Sequence, residues 1–329
     1  MHAAGILLFA AGAVAVATQP GRSELTPAEA ARIARVKHEV RDAAAAALDA
    51  EPEPLLARRR FTEAARAFEG VEVAFEPVEA HPELIAVRTT IDVPCGGDNS
   101  LYLFRRDGDA WRLIFARESG AYRSFAGALD MFDYAVSPSD ANGRFFVVTA
   151  NVVPSCNGLW HLLRYDVRRV KEDDPYGARV LFSASHSIHL DDAYELEAGE
   201  EDFSIRWRAE QSLDLGLHAR DYVRHYAVCA DRVERIEPFA LTPEAFVDEW
   251  AEMPWEEASR FGGLRSAHEV LNRRRFVWSS FDAVTRDDDG AWIVPLQLER
   301  KPKNERMTFT LRQYGEAFRI ESIARGPRQ

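Results

Sequence analysis

From Val71 onward the chain reads as short apolar strand runs punctuated by turn chemistry, and the runs fall into sets of four. The first set covers residues 71–77, 84–93, 100–106 and 111–117, its last two strands joined by Asp107-Gly108-Asp109, an Asp-Gly step suited to a tight hairpin. A second set, 132–136, 144–153, 159–167 and 178–185, is separated by Asn142-Gly143, Asn157-Gly158 and Pro175-Tyr176-Gly177. A third is placed at 193–197, 203–209, 221–229 and 233–238, and a fourth at 276–284, 292–299, 307–313 and 318–323, with Asp289-Gly290 and Tyr314-Gly315 at turns. Residues 102–104 and 145–148 are apolar at successive positions, as strands covered on both faces require. In 205–210, Ile205, Trp207 and Ala209 share one face and Arg206, Arg208 and Glu210 the other, which places the charges in water.

Two segments carry helix signals instead. Thr26-Pro27-Ala28-Glu29 combines an N-cap, a proline at the first helical position and a capping-box glutamate, predicting a helix to about Ala50. Pro52 and Pro54 then interrupt, and a shorter helix is expected over 62–68 before Gly70. Thr242-Pro243-Glu244 heads a second helical stretch, 245–258, which contains Trp250 and Trp255 and is broken by Pro254 and by Gly262-Gly263; another turn or two leads to Arg273. The two tryptophans are expected to clamp these helices against a sheet.

Two local echoes suggest related units. Val93-Pro94-Cys95 followed by Asn99 to Phe104 resembles Val153-Pro154-Ser155-Cys156 followed by Asn157 to Leu162, and Asp107-Gly108-Asp109-Ala110-Trp111 resembles Asp289-Gly290-Ala291-Trp292. The expected fold is therefore mainly β, built of repeated four-stranded antiparallel meanders in a propeller-like manner, with an N-terminal helical segment and a helical insertion near 242–272. The alternative takes 26–117 and 242–325 as two α+β modules, each with helices ahead of a meander, flanking a β middle. The organisation that follows is a signal segment 1–17, a helical segment 18–70, meander units 71–241, the insertion 242–275 and a last meander 276–329.

Residues 1–17 change the picture of location. They contain the uninterrupted apolar run 5–17 and end in Ala15-Val16-Ala17, the small-x-small pattern of a signal-peptidase site, so cleavage leaves Thr18 first. The run is shorter than the ~20 residues of a membrane-spanning helix. A secreted or periplasmic protein with no integral span after cleavage is expected, although the segment lacks Lys and Arg. Fifty-three acidic against 41 basic residues give a net charge of -12, which disfavours nucleic acid and anionic lipid unless a local basic face outweighs it. The clusters Arg58-Arg59-Arg60 and Arg273-Arg274-Arg275 are read as helix ends facing water.

Motifs for catalysis and cofactors are missing: no Gly-x-Ser-x-Gly, no phosphate-binding glycine loop, and no His-Glu-x-x-His, because Asn272 stands where the second histidine belongs after His268-Glu269. No cofactor and no metal is expected. His186 and His189, three apart on a strand, point to opposite faces. Asp287-Asp288-Asp289-Gly290 has Thr285 and Leu296 at the outer ligand positions of a calcium loop, so it reads as a hairpin turn. The acidic stretch from Asp191 to Asp202 reads as a solvated hairpin. Cys95, Cys156 and Cys229 allow one disulfide, and the paired loops nominate Cys95 with Cys156. Those loops are expected to display Asp98, Asn99, Asn157 and Trp160 to a ligand. A non-catalytic exported binding or scaffolding protein for a small ligand, glycan or protein is the leading expectation. Alternatives are an extracytoplasmic hydrolase of glycans or peptides using Asp98, Asp140 and Asp191, and a structural envelope protein.

Overall fold

A computed structural model describes residues 26–51, 53–64, 70–93, 96–119, 132–153, 160–189, 193–213, 216–272, 279–298 and 305–326. Residues 1–25, Cys95, Cys156, Asn157, Asp191 and Arg273–Arg275 lie outside them. The described chain is mainly β, with four antiparallel meanders. It divides into two compact units, one built from the residues up to Asp191 with Leu196–Phe203 and Val228–Val233, the other from Asp192–Glu195, Ser204–Ala227 and the residues from Glu234 onward.

In the first unit α1 (Pro27–Ala50) starts as its sequence dictates: the Thr26 hydroxyl accepts from the Glu29 amide, and the Glu29 carboxylate reaches back to the Thr26 amide at 2.6 Å. Its buried stripe is Ile33, Lys37, Val40, Ala44, Ala47 and Leu48. The second helix, α2 (Pro54–Ala64), corrects the start of the expected 62–68, whose residues 65–68 lie outside the described residues: Pro54 opens the helix instead of interrupting it, and the Glu53 carboxylate accepts from the Leu55 and Leu56 amides. Arg58, Arg59 and Arg60 consequently sit within α2, not at its end.

The first sheet is β1 (Val71–Val78), β2 (His81–Val93), β3 (Gly96–Asp107) and β4 (Ala110–Glu118) in that spatial order. One face packs under the helices, where Ile33, Val40, Leu48, Ala57 and Phe61 share a core with Val73, Phe75, Val87, Tyr102 and Phe104. The other face, with Leu84, Ala86, Leu101, Leu103 and Phe115, meets Phe145, Val147 and Ala178 of the second meander. That meander is β5 (Phe132–Val136), β6 (Phe146–Val153), β7 (Trp160–Arg169) and β8 (Arg179–His189). Coverage of β3 on both sides explains its unbroken apolar run. His81 Nε2 lies 2.8 Å from the Ser137 carbonyl oxygen and fastens the two sheets at one end.

The third meander is β9 (Tyr194–Ala198), β10 (Asp202–Leu213), β11 (Gly216–Val228) and β12 (Val233–Ile236). On β10, Ile205 and Trp207 are buried and Arg206 and Arg208 exposed, as their alternation predicts. The helical insertion is α3 (Pro243–Glu252), α4 (Trp255–Ala258), a 3₁₀ turn Ser259–Phe261 and α5 (Arg265–Asn272). The last sheet has β13 (Ser279–Phe281), which ends before the expected 284, and β14 (Thr285–Arg286) just beyond that expected strand, then β15 (Trp292–Leu298), β16 (Glu305–Tyr314) and β17 (Ala317–Arg325). Trp250, fully buried, clamps the helices on this sheet: its ring meets Trp255, His268 and Phe309 edge-on, and its Nε1 donates to the Ala258 carbonyl at 3.0 Å.

The repeated-meander and α+β readings therefore each describe part of the molecule. Among the described residues four meanders follow one another, and the first and last carry helices on one face. The Asp-Gly echo has no repeat behind it, since Asp107-Gly108 joins the third and fourth strands of its sheet whereas Asp289-Gly290 joins β14 to β15. Both are there for turn geometry. The Asp287 side chain accepts from the Asp289 and Ala291 amides.

Gly262 and Gly263 have a packing reason. At φ +88 Gly262 bridges in parallel to Ile320 on β17, and a Cβ there would lie 2.3 Å from the Ile320 carbonyl oxygen; one on Gly263 would lie 2.7 Å from the Trp250 ring. Gly262→Ala is expected to destabilise the chain by at least the ~1–3 kcal/mol of such a backbone conformation. A lowered urea midpoint checks it, and an unchanged midpoint would mean the loop moves aside freely.

Candidate functional site

Two clusters of buried charge stand out. In the first unit, Lys37 occupies a core position on the apolar stripe of α1 and is only 2% exposed. Its Nζ lies 2.6 Å from Asp98 Oδ1 on β3, itself 1% exposed, and donates to the Ser119 carbonyl and hydroxyl at 3.1 and 3.2 Å. Burial pushes the Asp98 carboxyl above its ordinary range, and the opposing pull of Lys37 does not cancel this. Beside the pair, the Tyr102 hydroxyl donates to Glu118 at 2.9 Å, and Tyr176, from the β7–β8 loop, donates to the same carboxylate at 3.3 Å. Burial, reinforced by Glu118, drives the Tyr102 phenol far above its usual value, so it keeps its proton. Arg41 of α1 bonds the Tyr176 hydroxyl. Helix, sheet and loop are thereby pinned at one seam.

In the second unit one carboxylate serves three guanidiniums. Glu249 of α3 accepts from Arg235 at 2.6 Å, Arg224 at 2.9 Å and Arg220 at 3.1 Å. It is buried because it lies on the same side of α3 as Phe246, Trp250 and Met253, which enter the core of the last sheet. Burial raises its carboxyl, but Arg224, Arg235 and Arg220 together outweigh burial and hold it below the usual carboxylate range. Arg220 and Arg224 also lie over the Tyr222 ring, which stacks on Trp207 with centroids 5.0 Å apart.

Asp248 behaves oppositely. Desolvation, helped by Glu252, Glu249 and Glu244 and opposed by Arg220 3.8 Å away, pushes its carboxyl up to about 6. Since the folded value lies above the unfolded one, the native state holds the extra proton, and stability falls as pH rises from about 4 to 6. Asp248→Asn is expected to remove that slope and to raise the melting temperature near neutral pH. A melting series from pH 4 to 8 checks it, and an unchanged slope would contradict it.

Of the loop residues nominated from the sequence, Asp98, Asn99 and Trp160 fall among the described residues. Asp98 and Asn99 lie inside β3 and are buried, not displayed on a loop, because β3 begins at Gly96, paired with Val93. Asn99 accepts from the Thr90 hydroxyl at 2.7 Å. Trp160 opens β7, and Asn157, Cys95 and Cys156 lie outside the described residues. Cys229 carries a free, partly buried thiol. Of the three hydrolase candidates, Asp98 faces Lys37, Asp191 lies outside the described residues, and Asp140 accepts from the Asn142 and Arg144 amides and pairs with the Arg144 side chain. Asp140 thus folds its own turn. His186 and His189 both fall on β8, with His186 beside the Tyr165 hydroxyl at 3.0 Å. No group of three metal-competent side chains occurs among the described residues.

Sequence reasoning missed Lys37 and Glu249. Both had a signal, a charge falling in phase with the apolar stripe of its own helix: Lys37 between Ile33 and Val40, Glu249 between Phe246 and Trp250. What these clusters can do chemically is limited by their partners. The Lys37 amine is engaged by a carboxylate and two oxygens, and the Glu249 oxygens are shared among three cations, so both arrangements fix geometry. No protein-family model, curated protein or solved structure matches the chain.

Proposed function

We propose that this chain is an exported, non-catalytic binding or scaffolding protein whose helix-backed meanders hold recognition loops in place. The observation that carries the reading is that each cluster of buried charge closes on itself across a seam between elements: Lys37 of α1 on Asp98 of β3, and Glu249 of α3 on Arg220 and Arg224 of β11 and Arg235 of β12. Charge placed this way rigidifies a body and leaves recognition to its loops. Export is supported by the apolar run 5–17 and Ala15-Val16-Ala17. Among the described residues no helix is long and apolar enough to cross a membrane.

A thermal-shift screen across metals, chelator, oligosaccharides and peptides tests the binding half. A ligand at a hundred times its dissociation constant adds about 2.7 kcal/mol, a shift of several degrees. A sugar or peptide is expected to raise the melting temperature without being consumed. Turnover of that ligand, or a fall on chelation alone, would contradict the reading. N-terminal sequencing of chain recovered outside the cytoplasm tests export: Thr18 is expected first, and chain retained inside the cell with residue 1 intact would oppose it.

A further inference from the structure

We infer that the seam between α1 and the first sheet binds one captive water molecule, held by Thr89, Ser100 and Asp98. The inference goes beyond the binding reading and does not depend on it. Ser100 on β3 pairs with Thr89 on β2 and with Glu118 on β4, so the three side chains form a row across one face of the sheet. Cβ atoms of such opposed residues lie about 5 Å apart. Asp98 is the next residue of β3 on that face, about 7 Å further along the strand. The same face continues as Val87, Tyr102 and Phe104, which pack under the helices. Its polar positions are as deeply covered as the apolar ones: Thr89 is 2% exposed, Asp98 1% and Ser100 0%.

Thr89 Oγ1, Ser100 Oγ and Asp98 Oδ2 make no hydrogen bond among the described residues, although Lys37 Nζ lies 2.6 Å from the other carboxylate oxygen. Hydroxyls and carboxylates shut away from solvent are ordinarily bonded, and adjacent polar atoms that lack a partner are the setting in which a buried water is retained. The lining selects the ligand. A second cation would meet the Lys37 ammonium, and an anion would meet Asp98 and Glu118. Water suits both sides: it donates to Asp98 Oδ2 and to one hydroxyl oxygen and accepts from the other hydroxyl, about three bonds, as buried waters make. Hydroxyls on opposed residues that do not meet directly leave the spacing of one bridging oxygen. The molecule joins β2 and β3 to the Lys37 pair, and it is captive, not bulk solvent, because all three residues that hold it are covered.

A crystal structure of the full chain at water-resolving resolution tests this, together with oxygen-17 relaxation dispersion, which counts long-lived internal waters in solution. A peak is expected within about 2.6–3.2 Å of Thr89 Oγ1, Ser100 Oγ and Asp98 Oδ2. Ser100→Val puts methyl groups where the water binds and should lower the dispersion amplitude by the share of one molecule. Thr89→Ser keeps a hydroxyl and should leave the amplitude unchanged. Melting temperatures are measured alongside. If Ser100→Val does not fold, Thr89→Val decides: it keeps the shape of threonine, removes one of the three bonds and should shorten the residence time of the water by roughly tenfold. Density in which Ser100 Oγ turns onto the Tyr102 hydroxyl and Asp98 accepts from Ser119, with no peak between them, would overturn the inference. So would an anomalous peak after a rubidium soak, which would make the ligand a monovalent cation, or equal dispersion amplitudes in the parent and a folded Ser100→Val.

Discussion

Replacing Lys37 by methionine is expected to lower the stability of the chain by about 3–5 kcal/mol, the loss that follows when one member of a buried ion pair is removed. The size of the effect comes from what remains. Asp98 is 1% exposed and loses the ammonium 2.6 Å from its Oδ1, and Ser119 loses the donor that its carbonyl and hydroxyl shared. Burial already pushes the Asp98 carboxyl upward while Lys37 opposes it, so in the variant the carboxyl should rise further and take up a proton more readily. The urea midpoint of Lys37→Met should therefore improve on mild acidification relative to neutral pH. A loss under 1 kcal/mol would show that water reaches this seam and that the pair is not buried in solution.

A loss of similar size, about 3–5 kcal/mol, is expected for Glu249→Gln. Glutamine keeps the shape of the side chain but leaves Arg220, Arg224 and Arg235 facing one another without the carboxylate that all three share. The pH dependence gives an independent signature. Because the folded Glu249 carboxyl is held below its ordinary value, its contribution is fully present above the unfolded value near 4.5 and disappears as pH falls through the folded value. Glu249→Gln should flatten that acid limb and also narrow the opposite slope of Asp248, whose carboxyl Glu249 helps to raise. If the acid limb were unchanged, the carboxylate would not be the centre of the cluster.

Much of the fold was legible because its signals are local. The capping residues Thr26 and Thr242 set the starts of α1 and α3, and the strand runs up to 238 reappear within a few residues of their expected ends. What was misread also has local causes. Pro54 was taken as a helix breaker although proline is favoured in a first turn, and the Glu53 cap that makes it one is a side-chain contact. Gly96-Gly97 looked like loop, yet both residues pair with Val93 and Asp92, which draws Asp98 and Asn99 into the sheet. The strand expected to run to 284 stops at Phe281 and a new one starts at Thr285, a break with no strong turn signal in Asp282-Ala283-Val284. The candidate site was the least legible part. Lys37 and Asp98 lie 61 residues apart, as do the two numbers that name them, and nothing in either neighbourhood announces the other. Only a charge in phase with the apolar stripe of its own helix hinted at Lys37, and likewise at Glu249.

The most direct measurement on the claim that the buried charge here is structural, with recognition left to the loops, is the double replacement of Lys37 by methionine and Asp98 by leucine. Exchanging a whole buried pair for apolar side chains of similar volume is often neutral or stabilising. The double variant is expected to unfold within about 1 kcal/mol of the parent and to respond to the same ligands in the thermal-shift screen. A double variant that folds with the parent melting temperature yet loses its ligand response would place Lys37 and Asp98 in a working site and contradict the account.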